Sequence, residues 1–253
     1  MFECKVPLFN PAPLRREILE SLRDLALGEQ TARYGEYSDG ILAGCGLFEQ
    51  DKRIGVTGGL VKFAGRIYAL SAKTGLPYNA SDKWTVLKIR FGAEELTRDF
   101  RIYKGDLALD DNVNILPNEM ELGRFKLKLG SRLRTQYADF ADMDTEYDTV
   151  NLIHIPFAGI GEPTLSPVIL SHFAREAYPF AQEPADVAFC TACLASGGVM
   201  SRESIRMYLW RRGREQKMYG NRELHHHLAD ALSEMKGQAR QTKSGRTEGM
   251  LLM

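Results

Sequence analysis

No run in this sequence approaches the roughly 18 consecutive apolar residues of a membrane helix, so no membrane insertion is expected. The opening residues, MFECKVPLF, hold one lysine and no long apolar stretch, which does not fit a secretory signal. The reading is synthesis in the cytosol. Excess charge of one sign is also missing: 33 basic and 33 acidic residues give a net charge of +0. Such a balance argues against a dedicated nucleic-acid coat. Cysteine is scarce. Cys4, Cys45, Cys190 and Cys193, with no export signal, read as free thiols and not as a disulfide frame.

The usual catalytic signatures are missing too. There is no GxSxG, no HExxH, no GxxxxGK[ST], and no GxGxxG between strand and helix. The glycines Gly159 and Gly161 precede Pro163 and read as a loop. His154 and His172 stand singly on apolar runs, as core histidines do. The expectation is therefore no enzyme, no catalytic residue, no metal ligand and no cofactor.

What is present is ordinary in amount and uneven in placement. Hydrophobic residues make up 44% and charged ones 26% of 253 positions, enough for one large domain or two small ones. The chain is organised around residues 38–70, SDGILAGCGLFEQDKRIGVTGGLVKFAGRIYAL. Short apolar pieces alternate there with Gly40, Gly44, Gly46, Gly55, Gly58, Gly59 and Gly65. Glycine takes positive φ without steric cost and marks turns, so the pieces read as antiparallel strands. Gln50-Asp51-Lys52 and Ala64-Gly65-Arg66 are the hairpin tips, and Gly65 is expected at positive φ.

The order Asp39-Gly40, Gly44-Cys45-Gly46, Gly58-Gly59-Leu60-Val61 and Gly65-Arg66-Ile67-Tyr68 resembles the β-module near the start of many phage tail-fibre and baseplate-appendage proteins. Those modules commonly carry Asn before the Gly-Arg pair, where this chain has Ala64. The resemblance implies a structural subunit of a phage tail or phage-like contractile particle, assembled with other particle subunits. It brings no catalytic residue, because the family has none.

Ahead of that stretch, Pro13 suits a first helical turn. Leu14, Ile18, Leu22 and Leu25 recur at helical spacing, which predicts an amphipathic helix ending near Gly28. Behind it, residues 84–91 (WTVLKIRF) read as a central strand with apolar atoms on both faces. Residues 95–103, 118–129 and 150–155 read as further strands. Within the second, residues 124–129 alternate, with basic residues outward and Phe125, Leu127 and Leu129 inward. From about residue 160 prolines punctuate a helical period. Helices are predicted from Pro167 to about Ala177, from Pro184 to Gly197-Gly198, from a Ser201 cap to about Arg212, and from an Asn221 cap to Gly237. The expected fold is α+β: an N-terminal extension and helix (1–30), a β-sandwich-like antiparallel domain (31–160), a small helical domain (161–237) and a mobile tail (238–253).

Three constellations invite chemistry. Cys190-Thr191-Ala192-Cys193 has the CxxC spacing of zinc and redox sites. It lies in an apolar helical run with no second pair, and His225, His226 and His227, being consecutive, point different ways. Buried core is the reading. Asp139, Asp142, Asp144, Glu146 and Asp148 crowd one loop, but the EF-hand positions for Gly and Glu are not filled. Arg211, Arg212 and Arg214 cluster at a helix end, where the macrodipole favours cations. The helix-turn-helix outline of 184–212 keeps a DNA-binding regulator open as an alternative, and a small hydrolase with an unrecognised site as another. The leading reading is an adaptor joining a baseplate or tail to an appendage. Its interface residues are Leu14, Ile18, Leu22, Leu25, Arg211, Arg212 and Arg214. A homo-oligomer, dimer or trimer, is expected, and nucleic acid is not.

Overall fold

The computed structural model describes residues 16–98 and 100–249, with side chains as far as 239. It divides into two compact units, Met1–Tyr37 and Ser38–Met253.

In the first unit α1 spans Arg16–Tyr34. It does not stop at Gly28. A mid-helix glycine costs about 1 kcal/mol relative to alanine, and the neighbours Leu25, Ala26, Leu27, Glu29 and Gln30 are good helix formers. Ion pairs one turn apart, Arg16–Glu20 at 2.7 Å and Arg33–Glu29 at 2.8 Å, support both ends. The helix ends at Gly35, whose N–H donates to the Thr31 carbonyl at 2.8 Å. No residue of α1 is buried.

The second unit begins with two small interleaved sheets. Strands β1 (Gly40–Gly44), β4 (Gly59–Phe63) and β5 (Arg66–Leu70) form one, in the order β1-β4-β5. Strands β2 (Leu47–Gln50), β3 (Arg53–Val56) and β6 (Thr74–Pro77) form the other, in the order β2-β3-β6. All pairings are antiparallel. The tips are where the glycine pattern puts them. Ala64 and Gly65 have φ of 48° and 74°, and Asp51 and Lys52 have φ of 52° and 55°. Positive φ at both central residues is the type I′ geometry that matches strand twist. The β6 strand was not anticipated, because Gly75 and Pro77 argue against a strand. It is an edge strand, with Pro77 opposite Arg53 at its end, which is where proline is tolerated.

A third sheet, ordered β10-β7-β11, comprises β7 (Trp84–Phe91), β10 (Gly105–Asp110) and β11 (Glu119–Lys126). As expected, β7 is central. Residues 95–103 are not one strand but a short hairpin, β8 (Glu95–Leu96) with β9 (Arg101–Ile102). The alternation at 124–129 also breaks early. Phe125 and Leu127 are buried, but the strand ends at Lys126 and Leu129 is exposed. Residues 150–155, all buried except half-buried His154, form no ladder; their one bridge to a strand joins Asn151 to Arg124 of β11. An apolar run alone cannot distinguish a buried extended segment from a strand.

Four helices follow. α2 is Pro167–Ala177, with the Ser166 hydroxyl accepting from the Val168 N–H. α3 is Pro184–Ala195. α4 is Arg202–Arg211, capped by Ser201, which accepts from Ser204 N–H. α5 is Asn221–Gly249 and passes straight through Gly237, so residues 238–249 continue the helix. Asn221 does not cap it through its amide. That amide donates to the Ile155 carbonyl at 3.2 Å, while Glu223 accepts from the Gly220 N–H at 2.9 Å.

The change of period near residue 160 marks where strand gives way to helix within Ser38–Met253. One apolar cluster runs through it, from Ile41, Leu87 and Phe125 to Phe173, Cys190, Leu228 and Met235. Phe140 links the two parts: its ring meets Phe173 edge-on at 5.6 Å and stacks on His225 at 4.5 Å.

Candidate functional site

Of the α1 stripe, Leu14 lies outside the described residues. Ile18 is half-buried, and Leu22 and Leu25 are 48% and 66% exposed. The helical period thus gathers them on one open face, as spacing implied.

The arginine cluster divides. Arg212 spans three helices. Its guanidinium meets the buried Asp186 of α3 at 2.8 Å and Glu234 of α5 at 2.5 Å. The Tyr208 hydroxyl donates to the same Asp186 at 3.0 Å, and Arg214 meets Glu234 at 2.7 Å. Burial pushes the Glu234 carboxyl up, but hydrogen bonds from Arg212 and Arg214 outweigh it and hold it low. Arg212 and Arg214 are therefore ties between helices. Arg211 is exposed and borders an open depression of about 680 Å³ with Glu183, Asp186 and Glu234. Two more cations of the basic segment are committed internally. Arg202 donates to the Tyr219 carbonyl at 2.6 Å, and Arg206 meets Glu162 at 3.0 Å.

Cys190 and Cys193 are fully buried on α3. Burial pushes their thiols up to about 11 and about 12, so neither is a thiolate at neutral pH. His225 is buried against Phe140, and its imidazole is pushed down to about 4, first by burial. Among the described residues no group of three His, Cys, Asp or Glu side chains converges as metal ligands do. The acidic loop is scaffold. Asp142 receives both terminal nitrogens of Arg134 at 2.8 and 2.9 Å, Asp144 accepts from the Asn151 amide at 3.2 Å, and Glu146 meets Lys126 at 2.7 Å.

Two polar arrangements escaped sequence reasoning. Lys88 at the centre of β7 is fully buried, 3.1 Å from Glu119 and 3.5 Å from Asp110, and its ammonium also donates to the Asn114 carbonyl at 3.1 Å. Arg90 meets Glu119 at 2.8 Å. Burial pushes the Glu119 carboxyl up, but hydrogen bonds from Arg90, the Leu116 N–H and Lys88 bring it down to about 2. The second is a cleft of about 420 Å³ between the Asp51-Lys52 tip and residues 130–132. There Glu49 accepts from the Tyr78 hydroxyl at 3.1 Å and from Arg132 at 3.2 Å. Burial, then the Glu49 charge, raises the Tyr78 phenol. Its partners lie far apart in the chain, so no local pattern could have revealed it. A carboxylate neutralised by arginine, beside a phenol held protonated, offers neither an activated nucleophile nor a free base.

The residues that carry the β-module resemblance have structural tasks. The Asp39 carboxylate accepts from the Ala64 N–H at 2.9 Å, tying the start of the module to the tip where Ala64 and Gly65 turn. The Arg66 guanidinium lies 3.9 Å over the Tyr103 ring. A Cβ on Gly59 would stand 2.4 Å from the Cys45 nitrogen, so β4 and the segment after β1 approach only because that side chain is missing.

No protein-family model matches the chain, and no curated protein matches it. A solved chain from the type VI secretion system TssK-TssF-TssG baseplate subcomplex, determined by cryo-electron microscopy, is similar at 11% identity. The match covers 91% of this chain and 100% of that one, with a TM-score of 0.32. A likeness of that degree carries no argument about fold or function. No helix among the described residues is long and apolar enough to cross a membrane.

Proposed function

We propose that the protein is a non-enzymatic structural subunit of a phage tail or phage-like contractile particle, of the baseplate or appendage-adaptor kind. The observation that carries this reading is the module at residues 38–70. Its resemblance to tail-fibre and baseplate-appendage modules rests on Asp39-Gly40, Gly44-Cys45-Gly46, Gly58-Gly59-Leu60-Val61 and Gly65-Arg66-Ile67-Tyr68. Asp39, Gly59, Gly65 and Arg66 each hold a turn, a close approach or a stacking contact in the fold. The buried polar groups fit the same reading, since Asp186, Arg212, Glu119 and Lys88 pair with one another and join elements. The basic helices give no comparable support to DNA binding, because Arg202, Arg206, Arg212 and Arg214 are already held by protein groups.

The test is particle composition. Contractile particles are purified from a producing strain, and the protein is sought by mass spectrometry and by antibody labelling in electron micrographs. The expected result is a fixed number of copies at the baseplate end, and particles lacking a complete baseplate when the gene is deleted. Intact particles without the protein overturn the reading.

A further inference from the structure

A carboxylate taken out of water needs partners on both of its oxygens. The side chain of Glu49, on β2, is 7% exposed, and its two oxygens are held unequally. Oε1 accepts from the Tyr78 hydroxyl at 3.1 Å and from the Lys52 N–H at 3.2 Å. Both donors are fixed in place. The Tyr78 ring meets Phe125 edge-on at 5.7 Å, and the Tyr78 N–H donates to the Lys52 carbonyl at 3.2 Å. Among the described residues Oε2 has only Arg132, whose Nε and Nη2 approach that one oxygen at 3.3 and 3.2 Å. A strong arginine–carboxylate pair sets two nitrogens against two oxygens, which this pair does not. The Arg132 side chain is also 80% exposed, and the cleft of about 420 Å³ stays open beside it.

We propose that this cleft receives an arginine side chain of a partner protein, which displaces Arg132 and takes Glu49 Oε2 as its acceptor. The inference does not depend on the baseplate reading. Arg132 itself shows the chemistry of the occupant: a guanidinium already sits on the acceptor oxygen, in a tie that exposure keeps weak. With Arg132 displaced, the carboxylates of Glu49 and Asp51 outnumber the other cation that lines the cleft, Lys52, so the site favours a positive charge. Asp51 stands exposed in the tip that borders the cleft. Ala80 and Leu127, also in the lining, offer apolar surface to the stem that an arginine carries behind its charged fork. The occupant is a side chain and not a free small molecule. The cleft lies open between the Asp51-Lys52 tip and residues 130–132 and has one available acceptor oxygen. That seats the end of a side chain, whereas a dedicated small-molecule pocket encloses most of its ligand.

The experiment titrates the isotope-labelled full chain with the blocked peptide acetyl-Gly-Arg-Gly-amide. It follows the amide resonance of Lys52, whose N–H donates to Glu49. The expected result is a saturable shift that is absent with the citrulline peptide, which keeps the shape of arginine and loses its charge. Arg132→Ala is expected to tighten binding about fivefold, the effect of removing one exposed competing pair. The Arg132 side chain is exposed, so this variant keeps its fold, as circular dichroism will confirm. Adding Glu49→Gln is expected to weaken binding about tenfold or more, because the charged acceptor is gone. Weaker binding by Arg132→Ala overturns the proposal, since Arg132 would then belong to the acceptor and not stand in for the ligand. Equal binding of the citrulline peptide overturns it as well. So does the absence of a saturable shift in both the wild-type chain and Arg132→Ala, a result that needs no substitution of a buried residue.

Discussion

At the scale of single residues, His225 is a buried imidazole of the helical part. Its ring is stacked on Phe140, its Nε2 has no hydrogen-bond partner among the described residues, and burial lowers it from 6.5 to about 4. Asp144 opposes that shift and His226 adds to it. A folded value below the unfolded one means that the native state binds its proton later. The contribution is therefore complete above pH 6.5 and is lost as the pH falls through about 4. Over that interval the loss should amount to about 3 kcal/mol. Urea titrations at pH 7 and pH 4 check this, and His225→Phe should flatten the decline between 6.5 and 4. The Glu119 carboxyl, held near 2, adds a further loss only below 4.5, so the two groups separate by pH. A decline unchanged in His225→Phe would assign the acid sensitivity to other groups.

At the scale of the element, the hairpin tips decide whether the β-module closes. Gly65 has φ of 74°, and a Cβ there would meet nothing within 4 Å. Conformation is then the whole of the argument for glycine. Gly65→Val should destabilise by more than about 1 kcal/mol, because a β-branched residue is a true outlier at positive φ. Gly65→Asn, which tolerates that region, should cost less than half as much. Thermal unfolding of the two variants checks the ranking. Equal losses would mean that side-chain size, not backbone angle, sets the cost.

At the scale of the whole molecule, the prediction concerns assembly. α1 presents Ile18, Leu22 and Leu25 with no buried residue of its own, a stripe wide enough to pack on another helix. If that stripe pairs copies of the chain, the wild-type protein should scatter light as a dimer or trimer. Ile18→Asp with Leu22→Asp should lower its mass while the unit from Ser38 onward stays folded. Light scattering with circular dichroism decides. A mass unaffected by the double substitution removes α1 from self-assembly and leaves its stripe for a different protein.

Local chemistry was enough for much of this molecule. The turn tips, β7, and the starts of α2 and α4 were legible because glycine, proline and hydroxyl caps act within a few residues of themselves. The helical spacing of the α1 stripe was legible for the same reason. What sequence could not reach depends on groups brought together from afar. Gly28 and Gly237 were passed because the helix formers on either side outweigh one glycine. Thr74–Pro77 became a strand because β3 offered an open edge, and residues 150–155 form no ladder, though mostly apolar, meeting β11 only at the Asn151–Arg124 bridge. Arg212 was one of three equivalent arginines until folding placed Asp186 and Glu234 on either side of it. Lys88 read as one polar position on a strand face until Glu119, Asp110 and the Asn114 carbonyl closed over it. A buried charge is tolerable only with such partners, and their meeting is set by tertiary structure alone.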